Sequence, residues 1–108
     1  MSTLEDRSRA GPGLSSALVV LGGPLSPAEI PLLVTRLELI LRNTDRRIVD
    51  CDVSGLNDPD CVVVDALARM ALLCRRTGRR LRLRGAARKL QDLLVLAGLS
   101  EILPCLPE

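Results

Sequence analysis

Residues 80–84 read Arg-Leu-Arg-Leu-Arg, and this strict alternation constrains the fold more than any other stretch. A helix would scatter the arginines around its circumference. A strand instead sends successive side chains to opposite faces, leucines to one and arginines to the other. The strand therefore belongs to a sheet with one apolar face and with at least part of the other uncovered, and helices are expected to crowd onto the leucine side.

The rest of the chain supplies matching pieces. Ala17 to Leu21 is a short apolar run closed by Gly22-Gly23-Pro24, as a buried strand would be. Ser26-Pro27-Ala28-Glu29 has the form of a helix start: Ser26 to cap, Pro27 at the first helical position and Glu29 to complete a capping box. Ile30, Leu33, Val34, Leu37, Ile40 and Leu41 then recur at helical spacing through Arg42. Arg47 to Val53 is the next strand, ending at Ser54-Gly55. A second helix spans about Asp60 to Arg76 and stops at Thr77-Gly78, and a third runs from Ala86 to Ala97 before Gly98. Strands alternating with helices over short connections imply a mostly parallel sheet with right-handed crossovers. Residues 1–15, with Gly11-Pro12-Gly13 and scattered charge, are expected to be a flexible leader, and residues 16–108 the folded domain. The end, Leu99 to Leu106, is a short apolar segment that Pro104 and Pro107 keep from regular continuation.

Composition narrows the chemistry. At 108 residues the chain supports one small core. It has no His, Phe, Tyr or Trp, which removes the commonest general base and the aromatic platforms on which single-stranded nucleic acid stacks. Cys51, Cys61, Cys74 and Cys105 form no C-x-x-C pair, so a structural zinc site lacks its ligand spacing and free thiols of a reducing compartment are expected. Neither a secretory signal nor a membrane span is expected, because charges interrupt the opening residues and Asp65, Arg69 and Asp92 interrupt the apolar stretches. The expectation is a soluble cytoplasmic domain with no cofactor or metal.

The stretch most suited to function is residues 52–67, DVSGLNDPDCVVVDAL. In parallel sheets, sites gather beyond the carboxyl ends of strands, where Val53 to Asp60 falls. On the helix that follows, Val62, Asp65, Arg69, Leu72 and Arg76 share one narrow stripe, while Val63, Val64, Leu67, Met70, Ala71 and Cys74 point away. Such a stripe is either an ordinary solvated face or an interface, and the apolar Val62 and Leu72 within it favour the interface. Cys61, in the first turn beside Asp58 and Asp60, reads as a small semi-buried space-filler or as a redox-sensitive thiol. The general behaviour of free cysteine favours the former.

Two further patterns carry chemistry. Asp50-Cys51-Asp52-Val53-Ser54 mimics the D-x-D-x-[T/S] strand end of haloacid-dehalogenase-type phosphotransferases, which use magnesium. The chain is too short for that family's later lysine and acidic ligands, and Asp52 serves equally as a strand-end residue that bonds loop amides. Arg75 to Lys89 holds eight basic residues, yet the net charge is only +2 and no groove-reading helix accompanies them. A solvated arginine face docking an acidic partner fits better than nucleic acid.

The order of elements and three local matches resemble the STAS domain family, the fold of bacterial anti-sigma factor antagonists. Asp52-Val53-Ser54-Gly55-Leu56 resembles the family's strand end, and Asp60 falls where the family places the aspartate before its regulatory serine or threonine. Arg79-Arg80-Leu81-Arg82-Leu83, then Leu96-Ala97-Gly98-Leu99 and Ile102-Leu103-Pro104, resemble its last strand and closing helix. The resemblance spans Ala17 to Pro104. It implies an α/β domain with a mostly parallel four-stranded sheet and alternating helices, and a non-enzymatic role in binding an anti-sigma factor or a kinase-like ATPase. The alternative it carries is a scaffold subunit of a stressosome-like or transporter-associated assembly, with homo-oligomers. The implied partner-binding residues are Asp58, Asp60, Cys61, Val62, Asp65, Arg69, Leu72 and Arg76. The family's phospho-acceptor positions hold Cys61 and Val62 here. Neither takes phosphate from a serine/threonine kinase, so the usual switch is expected to be missing.

Overall fold

The computed structural model describes residues 2–7, 16–56 and 58–106. Its strands are β1 (Thr3–Asp6), β2 (Ser16–Gly22), β3 (Ile48–Asp52) and β4 (Arg80–Arg84). A 3-10 turn (Pro27–Glu29) leads into α1 (Ile30–Arg42), and α2 (Cys61–Arg76) and α3 (Arg88–Leu96) complete the set. The sheet order is β1-β2-β3-β4. β2 and β3 pair in parallel, as do β3 and β4, and β1 lies antiparallel on the edge beside β2.

Burial follows strand parity, as the alternation at 80–84 requires. Leu4, Ala17, Val19, Leu21, Val49, Cys51, Leu81 and Leu83 enter one core together with Leu33, Leu37, Leu67, Met70, Leu90 and Leu94 from the helices. The opposite parity of every strand is partly or fully exposed, except Asp50. All the helices therefore pack on one side of the sheet. The core is aliphatic throughout, because the chain has no aromatic residue to place there.

Asp50 is 5% exposed although it belongs to the helix-free face. Arg82 on β4 donates to both of its oxygens, at 2.7 and 3.1 Å, and the Ser16 hydroxyl on β2 donates at 3.0 Å. Leu18, Asp50 and Arg82 stand side by side in the register, so one carboxylate links three neighbouring strands. A one-residue slip of β4 would bring a leucine beside Asp50 and leave its charge unpaired.

The sheet extends further than a folded domain beginning at residue 16 would allow. Thr3–Asp6, expected in the flexible leader, form an edge strand with Leu4 1% exposed. With one apolar residue the segment has no strand signature; tertiary partners hold it. Arg36 Nε donates to the Leu4 carbonyl at 2.7 Å, and Ser2 donates its backbone N–H, at 2.9 Å, and its hydroxyl to Glu29. The remainder of the expected leader, residues 1 and 8–15, lies outside the described residues.

Glu29 also corrects the expected capping box. Its carboxylate accepts the Ser26 hydroxyl at 3.0 Å and the groups of Ser2, so it faces β1 rather than the Ser26 amide, and Ser26 makes no side-chain cap. Arg79 provides a second long-range tie. Its guanidinium donates to the carbonyls of Leu41, Thr44 and Arg46 at 2.9, 2.6 and 3.0 Å, closing the end of α1 and the approach to β3. The far edge of β4 is covered in turn, since Leu83 N–H donates to Pro104 and Leu106 N–H to Leu83 at 2.8 and 2.7 Å. Among the described residues, no helix is long and apolar enough to cross a membrane.

Two expectations follow. Replacing Asp50 by Ala leaves Arg82 without its partner and should lower the unfolding free energy in urea by about 3 kcal/mol. The paired change Asp50→Leu with Arg82→Leu should cost less than the sum of the single changes. The Ser2 and Ser26 hydrogen bonds hold the Glu29 carboxyl down from 4.5 to about 2. Its folded value is depressed, so its contribution is complete above about pH 4.5 and is lost as pH falls toward 2. The protection of β1 amides, relative to the intrinsic exchange rate at each pH, should fall across that window, and Glu29→Gln should remove this contribution to the pH dependence.

Candidate functional site

The turn after β3 is built from the strand-end motif. Asp52 Oδ1 accepts the Ser54 backbone N–H at 2.9 Å and its hydroxyl at 2.6 Å. Those two bonds, the hydroxyl first, lower the Asp52 pKa. Val53 extends the ladder by donating to the Arg84 carbonyl at 2.9 Å, and Gly85, at φ 69°, lies directly against Ser54. A Cβ at Gly85 would stand 2.7 Å from Ser54 Cβ, so a close approach and a left-handed backbone both require glycine there.

Beyond the turn, Leu56 and Pro59 are buried and carry the chain to α2. Asp58 is exposed and pairs with Lys89 at 3.2 Å, a solvated contact of little energetic weight. Asp60 is the N-cap of α2: its Oδ1 accepts the N–H groups of Val62 and Val63 at 3.0 and 3.2 Å. Such a cap contributes about 1 kcal/mol. Between this helix start and the end of β2 lies a cleft of about 310 Å³, lined by Pro24, Leu25, Leu56, Asp58, Asp60 and Val63 among others.

The helix divides as its spacing requires. Val63, Ala66, Leu67, Met70, Ala71 and Cys74 are buried. On the other side Cys61, Asp65, Arg69 and Arg76 are exposed and Val62 is half-buried. Arg69 Nε donates to Asp65 at 2.9 Å, the expected i,i+4 pair of a wet face. Leu72 is 51% exposed in the same stripe. From Val62 to Arg76 the stripe runs about 21 Å at the rise of an α-helix. The structure thus places Asp60, Cys61, Val62, Asp65, Arg69, Leu72 and Arg76 on one helix, with Asp58 on the loop before it. Asp60 differs from the rest in that one carboxylate oxygen is committed to the cap.

Cys61 is exposed, so the space-filling reading favoured by its residue type does not describe it. Cys51 and Cys74 are buried; burial pushes the Cys51 thiol far up and the Cys74 thiol to about 11. Burial also raises Cys105. The haloacid-dehalogenase reading of Asp50 and Asp52 finds no support in the geometry. One carboxylate is enclosed by Arg82 and Ser16, the other is engaged by Ser54, and both belong to the helix-free face rather than to the cleft. Among the described residues, no three His, Cys, Asp or Glu side chains are grouped to hold a metal.

The cleft's second wall, Pro24 and Leu25, and the Gly85 contact were not anticipated from sequence. A glycine directly after the alternating strand was the available signal for the latter.

Comparison with known proteins adds the following. The family profile described as "Mlab, STAS domain" matches residues 12–104. A variant of RsbS from Moorella thermoacetica superposes with TM-score 0.75 at 15% identity, covering 97% of this chain and 86% of that one. SpoIIAA, an anti-sigma factor antagonist in its unphosphorylated form, superposes with TM-score 0.70 at 13% identity over 100% of this chain and 90% of the other. An anti-sigma factor antagonist from Mycobacterium paratuberculosis gives TM-score 0.65 at 19% identity, over 98% and 87%. At such identities the likeness to these structures is one of fold. No curated protein matches the chain in sequence.

Thiol titration of the native protein tests the site geometry. Cys61 should react first, ahead of the buried Cys51 and Cys74, and Cys61→Ser should remove the fast phase. A Cys61 that reacts no faster than the buried Cys51 and Cys74 would contradict the exposed placement of the helix start.

Proposed function

The chain belongs to the STAS domain family, and on that premise we propose that it is a regulatory domain without enzymatic activity, binding another protein through the start and outer stripe of α2. The partner class is an anti-sigma factor or a kinase-like ATPase, by analogy with relatives described as anti-sigma factor antagonists. The observation that carries the reading is Leu72. A half-exposed leucine sits in the second half of a solvent-facing stripe, beyond the Asp65–Arg69 pair, on a helix whose other side is buried in the core. Apolar surface flanked by charge on a rigid element is what a protein interface offers.

Regulation in this reading does not pass through phosphate on α2. Cys61 and Val62 stand at the positions after Asp60 and lack the hydroxyl that a serine/threonine kinase modifies. Binding is then set by abundance or by competition.

A second reading, a scaffold subunit within a larger assembly, is favoured by apolar surface away from α2: Leu32 and Leu39 on α1 are 69% and 53% exposed. Stable homo-oligomers or co-purification with an ATPase subunit would select it.

Affinity purification from native extract with the wild type, Arg69→Glu and Leu72→Asp tests the primary reading. The wild type should recover an anti-sigma factor or kinase-like ATPase, and each variant should lose it by about tenfold or more, with unchanged thermal unfolding. Incubation of the complex with ATP should leave residues 61 and 62 unmodified by mass spectrometry. Equal recovery by all three proteins would show that the stripe is not the interface.

A further inference from the structure

The opposite end of the domain, where β3 and β4 begin and α1 and α2 finish, gathers arginines of two kinds. Arg79 and Arg42 are engaged, the former by three backbone carbonyls and the latter by Glu38 at 3.1 Å. Among the described residues the side chains of Arg46, Arg47, Arg75, Arg76 and Arg80 make no hydrogen bond or ion pair, and only Arg46 is even half-buried. The fold brings them together: Arg80 N–H donates to the Arg47 carbonyl at 2.8 Å, and the Arg79 guanidinium binds the Arg46 carbonyl at 3.0 Å. Arg75 and Arg76 stand in the last turn of α2, the same end of the molecule.

Between Arg75 and Arg80 lies a cleft of about 260 Å³, also lined by Gly78, Leu81, Glu101 and Ile102. Of its apolar lining Leu81 is 1% exposed and Ile102 is half-buried, so Ile102 supplies the apolar surface, and Arg75 and Arg80, whose side chains have no partner, border it together with the engaged Arg79. The arginine fork matches a carboxylate bidentately, and Ile102 offers apolar surface to the methylene stem of a glutamate or aspartate. Glu101 is the opposing charge. We infer that this end is a second interaction surface, distinct from the start of α2, which takes an acidic segment of a protein with a carboxylate seated between Arg75 and Arg80.

The alternatives fit less well. No aromatic residue exists to stack on bases, and the free arginines are spread over a helix end and two strand starts rather than along one groove-tracking element. Asp45 and Glu101 break the positive field that a phosphate surface would favour. This inference does not depend on the partner class proposed for the α2 stripe.

Fluorescence anisotropy with a short labelled poly-glutamate peptide at low salt tests it, with poly-glutamine, a short DNA duplex and phosphatidylglycerol vesicles as comparison probes. The wild type should bind the glutamate peptide and not the glutamine one. Arg75→Glu with Arg80→Glu should weaken binding by about tenfold or more, while Arg69→Glu should have a much smaller effect. Glu101→Gln should tighten binding several-fold, a change that a merely diffuse positive charge would not localise. Circular dichroism of each variant checks the fold, and the Glu101→Gln response holds even if the double variant unfolds. Absence of glutamate-peptide binding, an unaltered affinity in Glu101→Gln, or stronger binding to the duplex or vesicles than to the peptide would each overturn the inference.

Discussion

A carboxylate enclosed on the nominally open side of the sheet holds the architecture in register. Asp50 accepts from Arg82 on β4 and Ser16 on β2, so it spans the central strands on the face the helices do not reach. Hydrophobic burial on the other face is strong but non-directional. The aliphatic core would accommodate leucines and valines in many arrangements, whereas a charge that must meet its partner tolerates few. With register set from one side and burial from the other, the C-terminal ends of β2 and β3 are brought level, and α2 starts from that level.

The placement of all helices on one side has a functional consequence. A helix in this layer has its inner side in the core and its outer side in water, so α2 presents a stripe that is rigid but not buried. The Asp60 cap and the Asp52–Ser54 turn fix where the helix begins. At the other end, the Arg79 clamp draws the end of α1 and the start of β3 together, and in doing so gathers the free arginines around it. The domain therefore has two chemically distinct surfaces: a mixed apolar and charged stripe, and an arginine-rich end.

Local periodicity makes much of this legible in the sequence. The alternation at 80–84 implied one-sided packing, the spacing in residues 60–76 separated the wet stripe from the core face, and Asp60 read as a helix start. What escaped was held by contacts distant in sequence. β1 carries a single apolar residue and depends on Arg36 and Glu29. Glu29 itself looked like half of a local capping box because Ser26 stands three residues before it, but the Ser2 groups compete for the same carboxylate. Arg79 read as one of many surface charges, since nothing local indicates that its guanidinium meets three carbonyls. The residue type of Cys61 favours a semi-buried thiol, and the helix start turns it outward.

The central claim, that the outer stripe of α2 is where this domain meets a protein, is tested most directly by a hydrogen-exchange footprint of the isolated complex. Slowed exchange is expected over the turn at Ser54 to Leu56 and along α2 from Cys61 to Arg76, with the helix-free face around Leu18, Ile48 and Asp50 unchanged. Protection confined to that sheet face, with α2 exchanging as in the free protein, would contradict it.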